Sequence, residues 1–309
     1  MKALKKNLKK KLSFLLPTYR KIKSIIYKYL ANKQYKQLNE RIENYYANTN
    51  DSEICEVLDF LKTDKPQFIP YHYTKQYDYN NIVVHFDNAL KLPFSNYYDE
   101  NSGIHHKIFF PASYSNILIQ QAVAQAMIEQ HEKSPHKYLS ENFNLSEGNA
   151  AVLVGASDCI FCLSIIDKFK IVYLFEADSE WADAMKATLS SYSDKICIVN
   201  KYISDENSEN EITLDTFFSG KEQELSYIQA DIEGAEKLLL LGAKNILTNN
   251  KKIKLSLCCY HTINQQKDLT QILFSYGLKA TTSAGYMILW MQYPLKAPFL
   301  RRGVIYARY

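Results

Sequence analysis

Glycine is scarce in this sequence: there are 9 glycines among 309 residues, and only Gly103 precedes Gly148. We therefore expect most positions that need a positive φ angle or a close backbone approach to a ligand in the C-terminal half. No uncharged apolar stretch comes near 18 residues, which predicts that no helix spans a membrane. The segment Leu12–Leu16 is too short and too interrupted for a signal-peptide core, so we expect a cytoplasmic protein.

Cysteine is also rare, and the six cysteines lie in apolar stretches without the even spacing of a disulfide framework. We expect them to be reduced. Cys159 and Cys162 form a Cys-X-X-Cys pair, and Cys258 with Cys259 would complete a zinc or redox site if they approached it across a sheet. Two bulky apolar residues separate Cys159 from Cys162, so we interpret all four as core thiols and expect no metal ion.

Acidic residues are missing from the N-terminus. Residues 1–47 carry a net charge of +11 and the remainder −7, within a total of +4; residues 1–30 contain ten Lys/Arg and no acid. Leucines recur among these lysines at helical spacing, which predicts an amphipathic basic arm (Leu4, Leu8, Leu12 and Leu15). Residues 1–30 are expected to contact an anionic membrane surface peripherally, and the alternative is docking on the body or on a second subunit.

Pattern changes divide the chain into three regions: a basic helical arm (1–48), a mixed accessory or substrate region (49–147) and an α/β domain (148–309). In the accessory region, composition predicts helices over Glu53–Lys62 and Asn116–His131, a strand over Ile82–Phe86 and a loop over Asn96–Gly103.

After Gly148, short apolar runs alternate with helical patterns of about ten residues. This alternation predicts a doubly wound, mostly parallel sheet covered on both faces. The predicted strands are Ala151–Val154, Ile171–Phe175, Ile196–Val199, Leu225–Ala230, Lys254–Cys259 and Met287–Trp290. The predicted helices are Ile160–Lys168, Ser179–Leu189, Ala235–Leu247 and Gln265–Tyr276.

Three residues at predicted strand ends suggest a nucleoside-binding crevice. Gly155 follows the first strand, where ligands bind in doubly wound sheets. Glu176 ends the next strand 21 residues later, near the spacing at which an acid accepts ribose hydroxyls, although a solvated carboxylate is the simpler alternative. Asp231 ends a later strand and would face the same crevice. The absence of a full G-x-G-x-x-G motif argues against NAD.

Four segments in this order resemble the FkbM-type methyltransferases. Leu174-Phe-Glu-Ala-Asp is similar to their Phe-Glu-Pro-Asp element, and Thr213-Leu-Asp-Thr-Phe to their Thr-Leu-Asp element. Tyr227-Ile-Gln-Ala-Asp-Ile-Glu-Gly-Ala-Glu resembles their I-K-x-D-[VI]-E-G-A-E signature, and Cys259-Tyr-His-Thr their strand-end histidine. The resemblance covers roughly residues 125–305 and implies a class I methyltransferase fold, S-adenosylmethionine and O-methylation of a hydroxyl.

The resemblance also implies cofactor contacts. Gly155 and Ala156 would contact the methionine end of S-adenosylmethionine. Glu176 and the following Ala177 would contact its ribose, and Asp231 would lie near its sulfonium. The family usually has an acid at the position of Leu153 and a second glycine at that of Cys159. Asp158, in the turn itself, is the substitute we expect for the missing acid.

The proton of the acceptor requires a base at the crevice. His261 is the first candidate, because it ends a strand next to that of Asp231 and has an ordinary pKa near neutrality; Asp231 is the second. A His261 that only caps or packs at the strand end is the alternative.

From the resemblance together with these residues, we expect an S-adenosylmethionine-dependent O-methyltransferase acting on a sugar, glycan or glycan precursor in bacterial surface-polysaccharide synthesis. The rival hypothesis is a non-catalytic methyltransferase-fold partner in a glycan assembly complex, which Leu153 and Cys159 favour. A nucleic-acid substrate is not expected, because aromatic residues do not interleave with the early lysines.

Overall fold

The computed structural model describes residues 33–99, 103–292 and 294–309. The leucine stripe and the expected membrane contact of the arm lie outside these residues. Residues 33–45 form helix α1. Ile42 in α1 is fully buried, and Arg41 Nη2 donates to the Leu295 carbonyl at 2.8 Å. The last part of the predicted arm therefore packs on the body. None of the described helices is long and apolar enough to cross a bilayer.

The accessory region combines two helices with a small antiparallel sheet. Its elements are α2 (Ser52–Thr63), β1 (Val84–Asp87), β2 (Leu92–Asp99), β3 (Ile104–Phe109) and α3 (Asn116–Gln130). The predicted loop over Asn96–Gly103 is wrong, because β2 continues to Asp99. Tyr97 and Tyr98 of β2 pair with His106 and His105 of β3, and such cross-strand aromatic pairs outweigh the turn formers.

The second half of the chain forms a seven-stranded sheet and a short two-stranded ribbon. In chain order the strands are β4 (Gly148–Val154), β5 (Phe169–Phe175), β6 (Ile196–Val199), the ribbon β7 (Tyr202–Ile203) and β8 (Glu211–Ile212), β9 (Leu225–Ala230), β10 (Lys254–Cys258), β11 (Lys279–Thr282) and β12 (Val304–Arg308). The helices are α4 (Ile160–Ile165), α5 (Trp181–Thr188), α6 (Leu214–Phe217), α7 (Glu236–Gly242), α8 (Lys244–Asn249) and α9 (Gln265–Ser275).

The strand order is β6-β5-β4-β9-β10-β12-β11, or 3-2-1-4-5-7-6 counted along the chain of this sheet. Every pairing is parallel except those of β12, which runs antiparallel to β10 and to β11. The first five strands follow the doubly wound order of dinucleotide-binding sheets. The predicted mostly parallel α/β fold of the class I, Rossmann-like type is thus confirmed. The strand order reverses between β4 and β9, so a ligand crevice is expected at their carboxyl ends.

The side chains of alternate β4 residues pack on opposite faces of this sheet. Ala151 and Leu153 belong to a hydrophobic cluster shared with the accessory region, whereas Val152 and Val154 belong to a second cluster on the opposite face. Both faces are therefore covered, and the open edge of the strands is left for a site.

Two predicted elements of the domain differ from the structure. Met287–Trp290 is not a strand; Met287 forms only an isolated bridge to Arg301, and the last strands are β11 and β12. The single helix predicted over Ala235–Leu247 is divided into α7 and α8. A Cβ at Gly242 would lie 2.1 Å from the Ser204 carbonyl oxygen, so glycine permits a close chain crossing near this division.

Candidate active site

The turn after β4 is held tightly against the end of β9. Gly155 has a φ of 76°, and a Cβ there would lie 2.1 Å from the Asp231 carbonyl oxygen. Its N–H donates to the Phe175 carbonyl of β5 at 2.9 Å, and the Asp231 N–H donates to the Val154 carbonyl at 3.1 Å. Only glycine combines this positive φ with this contact. The turn therefore joins three neighbouring strand ends.

The next residues of the turn include a partly buried carboxyl group. Asp158 Oδ1 accepts a hydrogen bond from the Ile160 N–H at 2.9 Å, and burial raises the pKa of Asp158 to about 6. Cys159, which occupies the position of the expected glycine, keeps a left-handed backbone with φ 62°. This conformation costs a residue with a Cβ about 1–2 kcal/mol. The turn therefore retains a glycine-like shape despite the cysteine.

Glu176 extends from the end of β5 toward this turn. Its Oε2 accepts from the Ser157 N–H at 3.3 Å, and its Oε1 accepts from the Asp178 N–H at 2.9 Å. The Asn200 amide donates to the backbone carbonyls of Glu176 and Ala177 at 2.7 and 3.0 Å. The carboxylate is thus fixed beside the first turn, and its oxygens keep further lone pairs for hydroxyl groups.

Asp231 is the centre of a polar cluster at the end of β9. Tyr260 Oη donates to its Oδ1 at 3.0 Å, Tyr138 Oη donates to its Oδ2 at 3.3 Å, and His136 Nε2 lies 3.1 Å from Oδ2. His261 Nε2 lies 3.2 Å from Oδ1. Burial by itself raises the pKa of Asp231, but the bonds and charges of the two histidines hold it well below its usual range.

His261 lies at the site, but its contacts differ from those expected of a neutral base. Its Nε2 faces Asp231 and, at 3.7 Å, Glu233, whereas its Nδ1 lies 3.4 Å from Oε1 of the fully buried Glu236. Burial lowers the pKa of His261, but the nearby carboxylates of Asp231 and Glu236 outweigh burial and raise it to about 9. At neutral pH the ring is therefore an imidazolium, which must lose a proton before it can act as a base. The raised pKa favours a cationic partner of Asp231 over the expected resting-state base.

Several members of this cluster were missed by sequence reasoning. His136, Tyr138 and Tyr260 contact Asp231, and Glu129 Oε2 lies 3.8 Å from His136 Nδ1. Burial lowers the pKa of His136, but Glu129 and Asp231 raise it overall. The available signal was the stretch from Glu129 to Tyr138, which places two acids, two histidines and a tyrosine within ten residues.

A cavity of about 110 Å³ lies beneath the turn. Its lining includes Gly155 and Ala156 of the turn, the apolar Leu153, and the carboxyl-bearing residues Glu129, Asp158 and Asp231. The charge of Glu129 adds to burial in raising the pKa of Asp158. A small cavity with three carboxyl groups is suited to a cationic ligand group.

The candidate metal ligands among the described residues form two groups, and neither contains the four cysteines. Among the described residues, two groups of three or more candidate metal ligands have their atoms within 4.8 Å: His136, Asp231 and Cys258, and Asp231, Glu236 and His261. Cys159, Cys162 and Cys259 belong to neither group, so the four-cysteine site is not formed.

Comparisons with known proteins give only remote matches. No protein-family model and no curated protein matches the chain. A precorrin-6y C5,15-methyltransferase from Geobacter metallireducens is 9% identical, covers 54% of this chain and 84% of its own, and has a TM-score of 0.37. An rRNA methylase from Streptococcus thermophilus is 13% identical, with 53% and 88% coverage and a TM-score of 0.36. A putative tRNA (m1A22) methyltransferase of Streptococcus pneumoniae in complex with S-adenosyl-L-methionine is 16% identical, with 53% and 67% coverage and a TM-score of 0.34. At these scores the fold rests on the strand topology, and no activity follows from the likeness.

Proposed function

We propose that this protein is an S-adenosylmethionine-dependent O-methyltransferase whose acceptor is a sugar, a glycan or a glycan precursor. The observation that carries the proposal is the convergence of Gly155, Glu176 and Asp231 at the carboxyl ends of β4, β5 and β9. In a doubly wound sheet this edge is the ligand crevice. The three residues would offer a close backbone approach at the glycine, a ribose acceptor and a carboxylate beside the reacting centre.

The residues fit this cofactor in charge and in shape. Gly155 and Ala156 would hold its methionine end in the cavity, where Asp158 and Asp231 complement cationic amino and sulfonium groups. The cavity of about 110 Å³ is smaller than the roughly 300–1,000 Å³ of small-molecule pockets, so the nucleoside would lie outside it, over Glu176 and Ala177. When bound, S-adenosylmethionine supplies a methyl group on a sulfonium leaving group.

Asp231 is the residue that we assign to the acceptor hydroxyl. Its carboxylate lines the cavity, and Tyr138, Tyr260 and His136 fix its orientation. A hydroxyl that donates to Asp231 directs an oxygen lone pair toward the cavity, and such alignment supplies much of a methyl-transfer barrier. Methylation of a neutral hydroxyl makes its proton strongly acidic, so a weakly basic carboxylate suffices to accept it. Both nitrogens of His261 face carboxylates, which favours a positioning role for this ring.

A groove beside the cofactor cavity supports a glycan acceptor. Its volume is about 670 Å³, and it shares Gln130, Ile160 and Phe161 with the smaller cavity. Tyr97 and Asn142 also line it. Aromatic faces and side-chain amides are suited to the apolar faces and hydroxyls of sugars. Transfer of a labelled methyl group to sugars, but not to RNA or protein, is the expected result in an acceptor panel.

The cofactor is tested with Glu176→Ala and the nearby Glu180→Ala as its control. We expect isothermal titration to show S-adenosylmethionine and S-adenosylhomocysteine binding to the wild-type protein. Glu176→Ala removes two charge-assisted hydrogen bonds to the ribose and should weaken binding by about 2–3 kcal/mol. Glu180→Ala should bind like the wild type. A folded wild-type protein that binds neither compound would favour the non-catalytic hypothesis, and equal affinities of the two variants would remove Glu176 from the site.

A further inference from the structure

Four side chains from three segments of the chain meet at one point: those of His136, Asp231, Cys258 and Tyr260. His136 Nε2 lies 3.1 Å from Asp231 Oδ2, 3.2 Å from Tyr260 Oη and 3.6 Å from Cys258 Sγ. Tyr260 Oη lies 3.2 Å from the same Asp231 oxygen. His136 and Cys258 have no exposed surface. The cluster thus brings one nitrogen, one sulfur and two oxygen atoms together, with the nitrogen and the sulfur fully buried and Asp231 partly exposed at the cavity.

Hydrogen bonding satisfies this cluster only in part. The Nε2 atom of His136 has one proton or one lone pair, so it can engage one of its three neighbours. The other ring nitrogen, Nδ1, is buried without a hydrogen-bond partner and lies 3.8 Å from Glu129 Oε2. Histidines that bind a metal through one nitrogen usually direct the other toward a carboxylate. Glu129 and His136 have this arrangement.

The distances match the edges of a tetrahedral zinc site. With metal–nitrogen and metal–oxygen bonds of about 2.0–2.1 Å and a metal–sulfur bond of about 2.3 Å, tetrahedral edges are about 3.3 Å without sulfur and about 3.6 Å between nitrogen and sulfur. The observed nitrogen–oxygen and oxygen–oxygen distances are 3.1, 3.2 and 3.2 Å, and the nitrogen–sulfur distance is 3.6 Å. Four of the six tetrahedral edges therefore match, and the ligand atoms of His136, Asp231 and Cys258 all lie within 4.8 Å of one another.

We propose that His136, Asp231, Cys258 and Tyr260 form a buried binding site for a zinc-type divalent cation, with Glu129 orienting His136. The mixed nitrogen, oxygen and sulfur set and the tetrahedral spacing favour Zn²⁺ over Mg²⁺ or Ca²⁺, which require oxygen ligands. The Asp231 carboxylate and the Cys258 thiolate balance the two charges of the ion, and binding releases the thiol proton to solvent. The site fixes Asp231 and does not depend on the proposed cofactor.

The neighbouring group of Asp231, Glu236 and His261 does not offer such a site. Asp231 faces His261 Nε2, whereas Glu236 faces Nδ1 on another side of the ring. An ion bound to one of these nitrogens would lie away from the carboxylate at the other. This group is therefore suited to an imidazolium between two carboxylates.

Cobalt(II) is the probe for the zinc site. Chelator-treated, reduced full-length protein should bind one equivalent of Co²⁺, with visible bands of tetrahedral intensity and a near-ultraviolet sulfur-to-cobalt band that Zn²⁺ abolishes. Cys258→Ser should lose the sulfur band. Cys259→Ser should keep it, because Cys259 Sγ instead contacts the carbonyls of Arg302 and Gly303 at 3.3 and 3.4 Å. Glu129→Gln should weaken zinc binding about 10–100-fold.

X-ray absorption of the zinc-loaded wild-type protein tests the site without a variant. One sulfur at about 2.3 Å with nitrogen and oxygen neighbours is the expected shell. A wild-type protein that binds no cobalt stoichiometrically, a zinc shell without sulfur, or a sulfur band that persists in Cys258→Ser overturns the proposal.

Discussion

Asp158→Asn should stabilise the protein near neutral pH and weaken its binding of the proposed cofactor. Asp158 Oδ1 accepts from the Ile160 N–H, a bond that the amide oxygen of asparagine preserves. Burial raises the pKa of the Asp158 carboxyl to about 6, whereas an aspartate in an unfolded chain has a pKa of about 3.9. The folded protein therefore retains this proton to a higher pH than the unfolded chain does.

The sign of the effect follows from proton binding. Between about pH 4 and pH 6 the folded state binds more protons at Asp158 than the unfolded state, so the free energy of unfolding falls as pH rises. The loss is complete about one unit above the folded pKa, near pH 7. A shift of about two units at 1.36 kcal/mol per unit gives an upper limit of about 3 kcal/mol. Asp158→Asn has no charge to bury and escapes this loss.

Urea unfolding at a series of pH values between 4 and 8 measures this difference. We expect Asp158→Asn to match the wild type near pH 4 and to exceed it increasingly up to pH 7, whereas the exposed Asp194→Asn should follow the wild type throughout. In titrations with S-adenosylmethionine, the loss of a charged acceptor should weaken binding by about 1.5–3 kcal/mol. A stability difference that does not change with pH would refute the burial of an ionised Asp158, and an unchanged affinity would remove it from the cofactor site.

Three further predictions concern the turn, the cationic histidine and the arm. Gly155→Ala and Gly220→Ala introduce a Cβ at nearly equal φ angles, 76° and 77°, but only the Cβ at position 155 would meet an atom within 4 Å. Urea unfolding should therefore show that Gly155→Ala is less stable than Gly220→Ala by at least about 1 kcal/mol; equal losses of stability would contradict the close contact between Gly155 and Asp231. His261→Ala leaves Glu236 buried beside Asp231 without the imidazolium that lies between them. The free energy of unfolding should fall by about 3–5 kcal/mol at pH 7, and a loss below 1 kcal/mol would contradict the pairing of His261 with these two carboxylates. Full-length protein should sediment with anionic vesicles at low salt and be released as the salt concentration rises, because each basic residue near the membrane surface contributes about 1 kcal/mol. A protein beginning at Lys33 should stay in solution, and vesicle binding by both proteins would exclude the arm as the membrane contact.

The strands of the sheet's parallel part were predictable because each is a continuous apolar run between turn formers. The first five strands of the sheet were predicted to within a few residues, and with them the strand ends that carry Gly155, Glu176 and Asp231. The two remaining strands were not. β11 is an edge strand in which exposed and partly buried residues alternate, and β12 is a buried antiparallel insertion whose place depends on pairing with residues far away in the sequence.

The chemistry of the site was less predictable than its position. Sequence spacing placed His261 at a strand end near Asp231, but it could not show that Glu236 would face the other ring nitrogen. The protonation of His261 depends on that second carboxylate. In the same way, His136 precedes the first strand of the sheet, and only the packing of its segment against β10 brings it to Asp231 and Cys258.

Asp231 is held by contacts on both of its oxygens, and this limits what it can do. His136 and Tyr138 contact Oδ2, His261 contacts Oδ1, and Tyr260 contacts both. A carboxylate with so many partners cannot rotate to collect a proton from a distant atom, so an acceptor must come to it in one orientation. In the proposed methyl transfer, the main contribution of this site is therefore the position of the acceptor oxygen, and residues that contact Asp231 should matter as much as Asp231 itself.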